Sequence, residues 1–437
     1  MANTYLTRTP SSTGNRKIFT TSFWMKRSKL GGQQPLFSTD LDNTNNNYTM
    51  FYLDGGDGIG FFNTDGGVSN VDYLTNRKLR DTNSWYHIVI VFDSTQSSGN
   101  RIKFYINGVR ETSFANSTEP NQDADNTWFN RTYEHMIGTR SYDTSTYFDG
   151  SLSYFNFIDG TAYDASAFGS TDSTTGEWQI NTSPSVTYGT NGFFILKDGN
   201  SVTDQSGNSN NFTVGGGTLT KTEDCPSNVF ATLNPLNVPT SNAPTFSNGN
   251  NTSITSSATG SYKWGGSTTL GMTSGKFYCE AKATVDSTYS RSVIGITGDS
   301  TNLATTNGSI LGTTASCGYY SSNGSVQYNG SGDISGFNTS YTTGDIISMA
   351  FDLDNGKLYF RKNNDAWQNS GDPTSGATGT GAVSILSAST TSDGAYFFAQ
   401  TDDTGTSSPS KFEFNFGNGY FGTTAVASAG TPGSTPG

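Results

Sequence analysis

The sequence predicts an all-β protein built as two antiparallel β-sandwich domains in tandem, and three observations predict it. Helix formers are scarce, with Glu occurring only seven times in 437 residues. Turn chemistry is abundant: Asn-Gly occurs eight times and Asp-Gly seven times, and both favour the φ > 0 conformations that close tight hairpins. No segment sustains an i, i+3, i+4, i+7 apolar stripe. The nearest is 163–168, read as a single helical turn.

At roughly 150 residues per domain, the length allows two or three domains. Hydrophobic residues make up 32% and charged residues 14% of the chain, values that would also suit a disordered one. The 29 Phe, 22 Tyr and 6 Trp decide against that, because disordered chains are poor in aromatics. The formal net charge is −12. The longest basic cluster is the short run at 26–29, so a phosphate backbone is repelled and nucleic acid is excluded as a partner. The acidity confers solubility or draws cations to acidic loops. Cys225, Cys279 and Cys317 cannot form a fully paired set and match no zinc spacing. Maturation without disulfides, as in a cytoplasm, is expected, with Cys279 a small buried hydrophobe. The N-terminus shows no signal peptide. No apolar run approaches the ~20 residues that span a bilayer, so membrane insertion is not expected.

Individual elements follow from periodicity. Residues 85–92 form a near-continuous apolar run suited to a central strand. Residues 101–106 lead into Asn107–Gly108 and read as a hairpin. Residues 346–354 and 357–361 flank Asn355–Gly356 as a second hairpin, with Phe351, Leu353, Leu358 and Phe360 alternating inward. Pro226, Pro235, Pro239 and Pro244 punctuate a stretch without strand periodicity. The expected organisation is a first sandwich over 1–224, a Pro/Asn/Ser-rich connector over 225–257, a second sandwich over 258–424 and a small-residue tail over 425–437.

Particular motifs carry two family likenesses. Thr-Thr-Ser-Phe-Trp at 20–24, Tyr-Thr-Met-Phe at 48–51, Ser-Trp-Tyr-His-Ile-Val-Ile-Val-Phe-Asp at 84–93, Ile-Lys-Phe-Tyr-Ile-Asn-Gly at 102–108 and Tyr-Phe-Asp-Gly-Ser-Leu at 147–152 resemble the laminin-G-like, concanavalin A-type jelly-roll family. Ser-Gly-Lys-Phe-Tyr-Cys-Glu at 274–280, Val-Ile-Gly-Ile at 293–296, Gly-Tyr-Tyr at 318–320, Tyr-Thr-Thr-Gly-Asp at 341–345, Phe-Asp-Leu-Asp-Asn-Gly-Lys-Leu-Tyr-Phe at 351–360 and Phe-Glu-Phe-Asn-Phe-Gly at 412–417 resemble a SPRY-type sandwich. The two in this order, joined by 206–212 and 230–235, resemble virion-associated proteins of marine bacteriophages. That resemblance implies a non-enzymatic protein of the virion surface, made in the host cytoplasm, tail-fibre-like or an accessory fibre, that binds host-surface glycan. The alternative is a capsid or tail decoration or connector protein that binds other virion subunits without glycan affinity. Both imply virion subunits as partners and a homo-oligomer. The first sandwich begins almost at Met1, so docking through a sandwich face or the tail is expected.

Site candidates are modest. Glycosidases of the concanavalin-like fold carry Glu-x-Asp-x-x-Glu, which sets two carboxylates about 5–9 Å apart. No Glu here has an Asp two residues later, so no catalytic residue is assigned. His87 and His135, the two histidines, are expected to be structural. Laminin-G-like domains often hold Ca²⁺ at a sandwich rim. Asp40 and Asp42 (with Asn43), Asp54 and Asp57, and Asn121, Asp123 and Asp125 are the candidate ligands, while no cofactor is required. Rim aromatics stack on sugars while amides and carboxylates bond hydroxyls. The candidates are Trp128, Tyr142 and Tyr147 in the first domain, and Tyr319, Tyr320, Tyr328 and Trp367 in the second.

Overall fold

Short alternating segments separated by turn residues pair into long-range antiparallel sheets. The computed structural model describes residues 3–41, 44–140, 143–197, 201–258, 262–285, 291–403 and 408–426. The chain divides into two compact units, Met1–Val229 and Phe230–Gly437, and each is a β-sandwich.

In the first unit an eight-stranded sheet runs in the order Phe114–Thr118, Val68–Thr75, Ile59–Asp65, Tyr48–Leu53, Gln34–Asp40, His135–Ile137, Tyr5–Arg8 and Thr213–Gly216. A six-stranded sheet runs Phe193–Ile195, Gly150–Asp159, Ile18–Arg27, Trp85–Asp93, Ile102–Ile106 and Val109–Arg110. All pairings are antiparallel, and Ile18–Arg27 matches Trp85–Asp93 along its length. Between the sheets lies an aromatic core in which Phe37 stacks on Phe129 at 4.8 Å and Phe51 meets Phe61 edge-on at 4.8 Å. Filling a sandwich with rings in offset and edge geometries gives dense packing along with the apolar burial.

The outer face of the six-stranded sheet is covered as well. Segment 160–190 folds back over it, burying Val89, Val91, Ile158, Ala165 and Phe168, with Tyr105, Tyr163, Trp178 and Tyr188 packed against them. The expected turn at 163–168 is a 3-10 turn, Ala165–Ala167, capped by Asp164. Nearby, Lys26 Nζ meets Asp224 Oδ2 at 2.6 Å, both side chains nearly fully buried, and the Trp85 indole N–H donates to Asp224 Oδ1 at 3.0 Å. The Asn107–Gly108 turn serves this cover. Both residues have positive φ, +48° and +78°, and a Cβ on Gly108 would lie 2.3 Å from the Trp178 ring.

In the second unit a seven-stranded sheet runs Thr245–Ser247, Thr252–Ile254, Lys411–Asn415, Lys276–Val285, Ile346–Asp352, Lys357–Lys362 and Val383–Ser384. A five-stranded sheet runs Lys263–Ser267, Phe397–Asp402, Ser292–Thr297, Ser316–Tyr320 and Val326–Tyr328. Cys279, Ile296, Tyr319, Met349, Phe351, Leu358, Phe360 and Phe412 fill the space between them. All three cysteines are free, and Cys279 and Cys317 are buried.

Three features differ from the sequence expectation. The stretch expected as a connector over 225–257 is partly structural, since Thr252–Ile254 pairs with Lys411–Asn415 and Leu233 is fully buried in the second core. A seven-residue α-helix, Ser300–Thr306, lies against the five-stranded sheet through Leu303 and Ala304. Its composition is polar and β-branched, and two apolar contacts rather than a stripe hold it in place. The 346–361 hairpin turns through four residues, because Asp352 pairs with Lys357. The Asp352 carboxylate accepts from Asn355 N at 3.2 Å and Nδ2 at 2.9 Å and closes the loop.

Candidate functional site

At one edge of the first sandwich the two sheets part and leave a cleft of about 580 Å³. One wall is the edge strand Phe114–Thr118 with its neighbour Tyr73. The other is the hairpin of Ile102–Ile106 and Val109–Arg110. Residues 98–101 and 119–121 form the mouth. The floor is aromatic: Tyr73 meets Phe114 edge-on at 5.0 Å and lies parallel to Phe104 at 6.1 Å.

Two carboxylates line the cleft, each held by donors from the chain. Glu119 accepts from Tyr73 Oη at 3.2 Å, Ser98 Oγ at 3.0 Å and Gly99 N at 2.8 Å, with Arg101 Nη1 at 3.6 Å. Glu111 accepts from Arg77 Nε at 2.8 Å, Thr112 N at 3.2 Å and Ser113 N at 3.3 Å. Burial and the neighbouring Glu119 raise the Tyr73 phenol well above its ordinary pKa, so it remains a hydrogen donor. Arg110 is exposed at the lip and donates to Gly99 O at 3.2 Å and Asn100 Oδ1 at 3.3 Å. It forms no ion pair among the described residues. The cleft therefore offers an apolar floor, one cation without a carboxylate partner, and a rim of hydroxyls and amides from Ser98, Ser117 and Asn121.

Of the residues expected to bind ligand in the first domain, neither Trp128 nor Tyr147 lines this cleft. Trp128 is 4% exposed and spends its indole N–H on Thr64 O at 2.6 Å, so it is a core residue. Tyr147 is half-buried beside Tyr5 at 6.3 Å. Tyr142 lies outside the described residues. In the second unit Tyr319 is fully buried, its hydroxyl bonded to the Thr339 carbonyl and its ring edge-on to Tyr341, so it too is core. Tyr320 packs half-buried beside Trp264 and Leu311, and the Tyr328 hydroxyl accepts from Leu386 N at 2.8 Å. Trp367 is half-buried, with the Arg361 guanidinium 5.0 Å above its ring.

Two of the acidic loops are engaged by arginine side chains of the protein. Asp57 pairs with Arg27 at 3.1 Å and Arg80 at 2.9 Å. Burial works to raise its carboxyl, yet the Gly31 N–H and the two guanidiniums hold it below the usual carboxylate range. Asp54 accepts from Gly58 N at 2.5 Å and closes its turn. Asp125 pairs with Arg16, and Asp123 sits at positive φ with its N–H on Ser94 O. Asn121 lies in the cleft mouth, Asp40 is buried at a strand end, and Asp42 lies outside the described residues. Among the described residues no three His, Cys, Asp or Glu side chains converge on a metal position. Asp57 and Asp125 are thus corrected from cation ligands to partners of arginine.

Both histidines are buried and satisfied. The Trp178 indole N–H donates to His87 Nδ1 at 2.9 Å, so the His87 proton sits on Nε2, 2.9 Å from Ser22 Oγ. Burial pushes His87 down to about 3. The Asn130 N–H donates to His135 Nε2 at 3.0 Å, leaving the proton on Nδ1 toward Tyr133 O. Burial lowers His135 to about 4.

Of the comparisons with known proteins, the family match falls on the first unit. Residues 2–167 match the family model described as the concanavalin A-like lectin/glucanases superfamily. No curated protein matches the chain by sequence. Among solved structures, the SPRY domain of human HERC1 is 14% identical over 39% of this chain and 91% of its own, with a TM-score of 0.29. A heptameric SAP-like pentraxin from Limulus polyphemus is 16% identical over 36% of this chain and 69% of its own, TM-score 0.27. Domain 4 of an extracellular arabinanase from Geobacillus stearothermophilus, solved with arabinotriose, is 19% identical over 36% and 67%, TM-score 0.26.

The cleft residues Tyr73, Arg101, Arg110, Glu111 and Glu119 were not singled out by sequence reasoning. Glu111 and Glu119 bracket a polar edge strand whose one aromatic, Phe114, turns inward. That asymmetry was the available signal, but the pairing with Val68–Thr75 that supplies Tyr73 is long-range.

Proposed function

We propose that the chain is a non-enzymatic carbohydrate-binding surface protein, tail-fibre-like or an accessory fibre of a bacteriophage virion, that holds host-surface glycan in the edge cleft of the first sandwich. The observation that carries the binding reading is the cleft itself, a concave site with an aromatic floor and a convergent ring of fixed polar groups. The Arg110 guanidinium at its lip, which forms no ion pair among the described residues, favours glycans bearing a carboxylate or sulfate. The virion setting rests on the order of the two sandwich motifs in the sequence.

The state of the two carboxylates supports the non-enzymatic part. A glycosidase needs one carboxyl free to protonate the leaving oxygen and a second free to attack or to activate water. Here Glu111 and Glu119 each accept three or more donors from the chain itself.

Glycan-array and host-cell binding by the purified chain test the reading. Binding to a subset of acidic glycans is expected, and Arg110→Ala should weaken it by about tenfold or more, the loss of one charge-assisted contact. Silence across diverse host glycans would sink it and leave binding to virion subunits as the role. Polysaccharide turnover abolished by Glu111→Gln would overturn the non-enzymatic assignment.

A further inference from the structure

The outer face of the seven-stranded sheet in the second unit holds an aromatic side chain in an unusual posture. Strand Lys276–Val285 turns Cys279, Ala281 and Ala283 into the core and Tyr278, Glu280 and Lys282 outward. Tyr278 is 47% exposed near the middle of this sheet. Its hydroxyl is nonetheless fixed. It donates to Glu280 Oε1 at 2.7 Å, lies 3.1 Å from Ser348 Oγ, and accepts from Arg361 Nη2 at 3.2 Å.

Register turns these bonds into a shape. Tyr278 stands opposite Ala350, Glu280 opposite Ser348, and Ser348 opposite Arg361. A side chain rooted on one strand and tethered at its tip to the next two must lie along the sheet. The small residues Ser348 and Ala350 beneath it leave the room to do so. One face of the ring therefore rests on the sheet and the other meets solvent. Around it, Asn415 Nδ2 donates to Glu280 Oε2 at 3.1 Å. On the far side Arg361 spans from the phenol to the Trp367 ring, 5.0 Å from its centroid.

We propose that this face is a second carbohydrate-binding site, a flat platform for a neutral pyranose chain. The C–H face of a sugar ring stacks on Tyr278, while its equatorial hydroxyls reach Glu280, Asn415 and Arg361 at the rim. The ring and its tethers are in place before the ligand arrives, so little rotamer freedom is lost on binding. The surface is planar and open and its charges are of both signs. It therefore suits an extended uncharged chain, in contrast to the cationic lip of the cleft in the first unit.

The test uses the whole chain and neutral hexaoses of the cello, laminari, chito and galacto series, titrated by calorimetry. At least one is expected to bind. Tyr278→Ala should weaken that binding about tenfold with an unchanged circular dichroism spectrum. Tyr278→Phe, which keeps the ring and frees its tip, should fall between. Arg110→Ala should leave it unchanged. The proposal is overturned if no neutral hexaose binds, if Tyr278→Ala binds like the parent chain, or if the loss follows Arg110→Ala instead. Failure of acidic glycans to bind the first-unit cleft would leave these arms unaffected, so the two sites stand or fall separately.

Discussion

The outer faces of the two sandwiches are treated in opposite ways. In the first unit the outside of the six-stranded sheet is roofed by segment 160–190 and by Asp224. A buried ion pair and the Trp178–His87 bond are sealed beneath this cover. In the second, the outside of the seven-stranded sheet around Tyr278 is open, and its polar groups are tied to one another across strands. The same architecture thus uses an outer face for stability in one unit and leaves it free to meet a ligand in the other. Substitutions on the two faces should differ accordingly.

The largest effect is expected at Asp224. Asp224→Asn removes the carboxylate charge that faces the buried Lys26 ammonium and should cost about 3–5 kcal/mol, read by denaturant unfolding. Trp178→Ala comes next at about 3 kcal/mol, because it removes ring packing and leaves His87 Nδ1 buried without its donor. On the bare face Tyr278→Ala should change stability by about 0.5 kcal/mol or less, although it removes a larger side chain than Asp224→Asn alters. A loss at Tyr278 equal to that at Trp178 would show that the open face is structural after all.

Acidification separates the units in another way. His87 and His135 are held neutral, with folded pKa values of about 3 and about 4 against an unfolded value of ~6.5. Between these values the unfolded chain binds the extra protons, so first-unit stability is full above ~6.5 and falls as pH drops below it. In the second unit burial, aided by the neighbouring Asp402 charge, raises Asp403 to about 7. There the folded state holds the proton more tightly. Its contribution is full below the unfolded carboxylate value of ~3.9 and is lost as pH rises through 7. Calorimetry from pH 7 to 5 should show the transition that Trp178→Ala lowers moving down, while the other holds or rises.

Much of the fold was legible in the sequence because hairpin chemistry is local. Asn107–Gly108 closes a two-residue turn as its dipeptide predicts, and the apolar run at 85–92 is a central strand. The helix Ser300–Thr306 and the strand Thr252–Ile254 were not legible, since short polar elements form when tertiary neighbours hold them. The sites were harder still. Trp128 and Tyr319 match rim aromatics in composition, and their burial depends on which loop folds over which sheet. Conversely, nothing in the sequence sets Tyr278 apart from its strand neighbours. Its posture is set by Ser348 and Arg361, some 70 and 83 positions along the chain.

Hydrogen–deuterium exchange of the whole chain, with and without a bound glycan, tests the contrast between covered and open faces most directly. Ligand-dependent protection is expected in strands 276–285 and 346–362 with a neutral hexaose and around 98–121 with an acidic glycan, with segment 160–190 unchanged by either. Protection concentrated in 160–190, or none at either site under saturating ligand, would contradict it.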